Sequence, residues 1–215
     1  DRRAVGAEIR YLHPKRSLYT LIDYDAYFNT LNVFSNQMSW RAEDETSYNL
    51  LVDYRNAPPV TTRNALFGQT ATTLQTLHET YSESEIRQLA RDRIAHYFMV
   101  AAGVAHPIGE NYRWEADVTA SKFGDTPASG GVPASAGTPM EYYYSTRFNA
   151  SNYFKQGDVN ILGLYLADGA TYRMITFSVN SRLPVGSKLY FNPRLQLGFR
   201  RQNATGGEDR VTGAG

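Results

Sequence analysis

Polar and apolar residues alternate along this chain in runs of roughly ten or more, against about 5–6 for an average soluble strand, repeated from Ala4 to about Arg201. In Leu18–Phe28, residues Leu18, Thr20, Ile22, Tyr24, Ala26 and Phe28 fall on one side, and Tyr19, Leu21, Asp23, Asp25 and Tyr27 on the other. A period of two is the mark of a strand with two unlike faces. Runs of this length match a tilted membrane-spanning strand of about 9–11 residues.

Composition is compatible with that expectation. Hydrophobic residues make up 42% of the 215 and mean hydropathy is −0.46, so no segment resembles a transmembrane helix of about 20 apolar residues. Barrel strands escape hydropathy because polar and apolar positions interleave. A net charge of +1 supplies no field for nucleic acid. The absence of cysteine excludes disulfides and thiolate metal sites. Tyr is the commonest aromatic, with 16 residues; it suits a membrane–water boundary and is also a good strand former. The chain starts at Asp1 without Met, and its end, Gly206–Gly215, reads as a loop-like tail with no closing strand. Both features suggest a piece of a longer protein.

Ten strands are expected, at about 4–12, 18–28, 31–41, 46–56, 93–106, 112–122, 140–154, 158–168, 171–183 and 188–201. The odd-numbered connections, His13–Ser17, Ala42–Glu45, Pro107–Asn111, Lys155–Gly157 and Pro184–Ser187, are short. The long ones, about 57–92 and 124–139, are even-numbered. Up-and-down strands put the two classes at opposite ends, as in outer-membrane barrels with short periplasmic turns and longer external loops. The fold expected is therefore all-β, an antiparallel up-and-down transmembrane β-barrel. The chain would supply about ten strands of a larger barrel as one domain. Pro193 inside the last strand should shorten or bulge it.

The alternation also assigns faces. Trp114, Ala116, Val118 and Ala120 oppose Arg113, Glu115, Asp117 and Thr119; Phe191, Leu195, Leu197 and Phe199 oppose Arg194, Gln196 and Arg200. The residues expected to line a wet lumen are Glu8, Arg10, Asp23, Asp25, Asp53, Arg55, Arg113, Glu115, Asp117, Glu141, Arg147, Arg194 and Arg200. Arg presents a fixed fork that suits the interleaved carboxylates. Cross-strand ion pairs stiffening the wall account for each of them singly; their sum defines a polar interior. Asp23 and Asp25, about 6.5–7 Å apart along a strand, read better as solvated lumen charge than as a catalytic pair.

The period changes once, in the fourth connection. Leu74, Leu77 and Tyr81 have helical spacing, Ser82-Glu83-Ser84-Glu85 is a capping box, and Ile86, Leu89 and Ala90 form a stripe with Glu83 and Arg87 at i, i+4. One or two short helices are expected here, as a plug in the pore or an external loop folded on itself. No enzyme is indicated. His13, His78, His96 and His106 have no metal-ligand spacing, no G-x-S-x-G elbow occurs, and no phosphate cradle accompanies Gly130-Gly131 or Gly206-Gly207. No cofactor is expected.

Several segments resemble large proteobacterial outer-membrane proteins that carry tetratricopeptide repeats before a C-terminal β-barrel. They are Asp1–Gly6, Thr62–Gly68, Ser84–Ala90, Thr126–Gly131, Glu141–Ser145 and Asn192–Leu195. The resemblance implies a bacterial outer-membrane location, lipid contact, periplasmic partner proteins and, from relatives of similar layout, export of a polysaccharide. The chain departs from that layout in having no repeat helices and no terminal aromatic strand. The leading expectation is a non-enzymatic part of a pore or export channel. The alternatives are a structural or adhesive barrel whose loops bind a surface partner, and a soluble β-sandwich binding module.

Overall fold

The computed structural model describes residues 3–186 and 188–203 in full and the backbone of 208–214. Long strands dominate: β1 (Ala4–His13), β2 (Arg16–Asp25), β3 (Thr30–Arg41), β4 (Ser47–Ala57), β5 (Ala95–Ile108), β6 (Tyr112–Phe123), β7 (Glu141–Ser151), β8 (Val159–Asp168) and β9 (Tyr172–Val185). A short β10 (Leu189–Phe191), β11 (Arg194–Gln202) and β12 (Glu208–Ala214) follow. Each strand pairs antiparallel with its predecessor in one sheet ordered β1 to β9, then β11 and β12, with β10 on the edge of β9 beside β11. The sheet is all-β, meandering and open, and β1 and β12 are its two edges.

Two expectations change at the ends of elements. The alternation of Leu18–Phe28 stops at Asp25, because Ala26–Asn29 form a turn with Asn29 at φ 50°. Phe28 leaves the sheet entirely and is fully buried elsewhere. The tail expected to be a loop contains β12, which pairs with β11 from Leu195↔Ala214 to Arg201↔Glu208. Its short polar run, Glu208–Thr212, carries too weak an apolar alternation to declare itself. Residues 206, 207 and 215 of that tail lie outside the described residues. Pro193 divides the expected last strand into β10 and β11, and its carbonyl accepts from the Ser181 N–H at 3.0 Å, so the seam stays attached to β9.

The register sorts the side chains into two faces, since directly opposed residues of an antiparallel pair share a side. One face runs Ile22↔Phe34↔Tyr54↔Phe98 and Leu18↔Met38↔Leu50↔Ala102↔Val118↔Tyr144↔Leu166↔Ile175↔Phe199. It is apolar along these rows; its polar members include Thr20 and Asn36, which bond each other, and Lys122, opposite Phe98 toward the long connections. The other runs Ser35↔Asp53 and Glu115↔Arg147 and is polar. A bulge at Asp23/Tyr24 lets β3 keep this division past Val33.

No strand touches any but its ladder neighbours among the described residues, and the helices touch no strand. The sheet is one layer thick. Among the described residues the one buried apolar cluster lies in the fourth connection, which holds a 3₁₀ turn (Thr62–Leu66), α1 (Leu74–His78) and α2 (Glu83–Asp92). Val60, Ala65, Leu77, Ile86, Leu89, Ala90 and Ile94 bury one another there, together with Phe28 from the β2–β3 turn. α2 starts where the capping-box motif says, and α1 starts at an N-cap, Thr73, that the spacing of Leu74 and Leu77 did not mark. Thr73 Oγ1 accepts from the Thr76 N–H, and Ser82 and Glu85 bond reciprocally as a capping box.

Candidate functional site

Exposure runs opposite to that of a water-soluble sheet. Val5 is 71% exposed, Trp40 50% and Phe199 52%, all on the apolar face, whereas Asp53 at 1% and Thr176 at 4% are buried on the polar one. Water-soluble sheets expose polar residues and bury apolar ones. The apolar face also carries aromatic side chains toward both ends of the strands. Tyr11, Trp40, Tyr48, Tyr112, Trp114 and Phe148 lie toward the short turns; Tyr24, Phe34, Tyr54, Phe98 and Tyr142 lie toward the long connections. Trp40 and Tyr48 pack with ring centroids 5.2 Å apart, and Tyr112 and Phe148 at 5.8 Å.

All thirteen residues expected at a lumen fall on the polar face by register. Most of their charges are matched within the sheet. Arg113 meets Glu115 at 3.0 Å, and Arg147 bridges Glu115 at 3.1 Å and Asp117 at 3.6 Å. Asp117 also accepts from the Ser145 hydroxyl at 3.1 Å. Arg55 clamps Asp53 through Nε and Nη2, at 2.6 and 2.7 Å, and Arg10 pairs with Glu8. The Arg200 guanidinium lies 4.5 Å from the centroid of the Tyr172 ring. Asp23 accepts from Asn32 at 2.9 Å, and Asn32 accepts from Asn56. Arg194 stands opposite Asn180 in the ladder.

Asp25 and Glu141 serve the connections. Asp25 is fully buried, and its Oδ1 accepts from the N–H groups of Tyr27 and Phe28, which makes it the clasp of the β2–β3 turn. Glu141 accepts from the Ala170 N–H at 2.7 Å and the Tyr143 hydroxyl at 3.2 Å, tying β7 to the β8–β9 turn. Alternation assigns a residue to a face but does not show where its strand ends, so these two end positions read as wall positions.

Sequence reasoning passed over the residues that shape the polar face. A Cβ at Gly103 would lie 2.3 Å from Asn49 Oδ1 and 2.4 Å from Asp117 Oδ1, and one at Gly163 would lie 2.6 Å from Ser178 Oγ. Glycine is needed where neighbouring side chains close over the strand. A recess of about 380 Å³ opens beside Gly103, with Asn49, Arg113, Glu115, Asp117 and Arg147 on its wall. A second, of about 450 Å³, gathers Tyr143, Tyr165 and Tyr172 with Asp117, Thr119 and Gln196. The signal was available: these glycines and tyrosines share the parity of the charged residues.

Of the residues expected on the helical insert, Leu74 and Leu77 lie in α1 and Glu85, Ile86 and Leu89 in α2. α1 ends at His78, so Tyr81 falls in the link between the helices, and Ser82 is the N-cap of α2. Together they form a cap in the fourth connection. Tyr27 joins it to the sheet: its hydroxyl donates to Glu83 at 2.9 Å, and the Arg87 guanidinium lies 5.0 Å from its ring centroid. Glu83 and Arg87 thus both engage the β2–β3 turn. Burial, and next the Glu83 carboxylate, raise the Tyr27 phenol above its ordinary value. Arg91 donates to the Phe28 carbonyl, Arg93 to the Ser129 carbonyl and Gln69 to the Gly130 carbonyl. Three even-numbered connections therefore form one packed unit.

No family model, curated protein or solved structure matches the chain.

Proposed function

We propose that the chain is part of a bacterial outer-membrane β-barrel wall. Its apolar face meets hydrocarbon, its polar face lines an aqueous lumen, and it forms part of a pore or export channel. The observation that carries this is a single-layer sheet whose exposed face is predominantly apolar. In water such a face would need a second layer; in a bilayer, lipid covers it. Dimensions agree. Ten residues at about 3.4 Å each, tilted by about 40°, cross about 26 Å, close to the apolar band of known barrels. The two aromatic ends correspond to the two interfaces. A soluble sandwich needs a stacked partner sheet, and no second layer is present among the described residues.

Matched ion pairs and hydroxyls on the polar face suit the passage of hydrated solutes without a single fixed charge. Polysaccharide cargo and periplasmic partners are what the family resemblance implies. The second reading, an adhesive barrel, is favoured by the cap. Its loops are held together by specific bonds, which gives an external surface a defined shape.

The test is reconstitution. A boiled and an unboiled sample in detergent should migrate differently, and the protein should conduct ions across a planar bilayer. A heat-modifiable protein that never conducts removes the channel and keeps the wall. A protein that needs no detergent removes both. Deleting 124–139 separates the readings, because conduction should survive it and surface binding should not.

A further inference from the structure

Strand directions limit how this sheet completes itself. From β1 to β12 the path makes ten antiparallel steps, so the two edge strands run the same way. Joining them directly would create one parallel ladder in an otherwise antiparallel wall. Two copies inserted with the same orientation meet the same obstacle, because every edge they present runs the same way.

The edge of β1 is built for pairing. The Ala26 N–H donates to the Arg3 carbonyl at 2.8 Å, which makes Arg3 and Ala26 a hydrogen-bonded pair. Alternation along the ladder then turns the backbone of Val5, Ala7, Ile9 and Tyr11 toward β2. It leaves the N–H and C=O groups of Ala4, Gly6, Glu8, Arg10 and Leu12 on the outer edge. This edge carries no Pro, no Lys and no bulge, and its two charged residues, Glu8 and Arg10, pair with each other on the polar face. In hydrocarbon such groups must be satisfied.

Resting on the barrel reading above, we infer that the outer edge of β1 receives a further transmembrane strand that runs antiparallel to it, the first of an odd number that close the wall. The incoming strand has about ten residues to match β1. Its apolar side chains stand beside Val5, Ala7, Ile9 and Tyr11, and its polar ones beside Glu8 and Arg10.

The chain has no cysteine, so Val5→Cys supplies a single thiol near the start of β1. The protein is inserted into phosphatidylcholine vesicles, and insertion is scored first by protection from protease. Two ten-residue peptides then compete for it in the presence of an added thiol oxidant that closes the disulfide, alternating Leu/Tyr with Ser/Asn, one with a C-terminal and one with an N-terminal cysteine. An antiparallel neighbour brings its C-terminus to position 5, so the first peptide should be captured at least about tenfold more than the second. Preference for the second peptide, capture of neither, or a disulfide between two copies as the main product overturns the inference while the barrel stands. A chain that does not insert overturns the barrel reading itself, so the two failures are distinct.

Discussion

Asp158 shows how much one carboxylate does in this molecule. It sits between β7 and β8, nearly fully buried, and accepts from the N–H groups of Tyr153 at 2.9 Å, Phe154 at 2.6 Å and Lys155 at 2.8 Å. Burial alone would raise its pKa, but the backbone N–H groups together outweigh it and hold the carboxyl below the ordinary value. Asp44 is lowered in the same direction by the backbone and then the hydroxyl of Thr46. Each carboxylate therefore supports its turn above its unfolded pKa of about 3.9, and that support is lost as pH falls through the lower folded value. Amide exchange at Tyr153, Phe154 and Lys155, taken relative to the intrinsic rate at each pH, should be slow at neutral pH and speed up as pH falls through the lowered carboxyl value. Asp158→Ala should make it fast at every pH. Unchanged exchange in the variant would mean that the turn is held by its flanking strands alone. The sequence shows a short turn here but not its clasp, because an Asp beside Gly157 looks like any turn residue.

At the scale of elements, the contrast between two neighbours on β6 tests the wall. Val118 lies on the apolar face and Thr119 on the polar one, near the middle of a strand of twelve residues. Arginine on a lipid face near the bilayer centre costs about 2–4 kcal/mol, and much less on a lumen face. Denaturant unfolding from lipid should place Val118→Arg below the parent by that margin and Thr119→Arg close to it; equal losses would deny the asymmetry. The cap behaves as a separate element. Ile86 is fully buried in a core that includes Phe28 and no strand residue of the apolar face. Ile86→Ala should cost the cap about 2–5 kcal/mol. Protease should then cut between 58 and 94 readily, while the far-ultraviolet strand signal stays intact. Strands, faces, the start of α2 and loop parity were legible because each depends on local periodicity or a local capping motif. The role of Phe28 was not, since its partners lie some fifty residues away in a segment of different period. β12 escaped notice for the opposite reason, being defined by its pairing with β11 and not by its own pattern.

The whole molecule makes one more demand, on depth. The chain's two tryptophans, Trp40 and Trp114, come from different strands, yet both lie on the apolar face toward the short-turn end, at 50% and 40% exposure. The Trp114 indole N–H donates to Thr146 Oγ1 at 2.9 Å, so that ring is fixed by the next strand. If the exposed face is solvated by lipid, both indoles rest at one headgroup boundary, where amphipathic rings are favoured. Bromine placed high on the acyl chains should then quench their emission more than bromine near the bilayer centre, and aqueous iodide should quench weakly. Trp40→Phe and Trp114→Phe should each leave the same depth profile, because a single level serves both. Strong iodide quenching with no dependence on bromine depth would put this face in water. A one-layer sheet with an apolar side could not persist there unaided, so that outcome would require a partner surface in place of the bilayer.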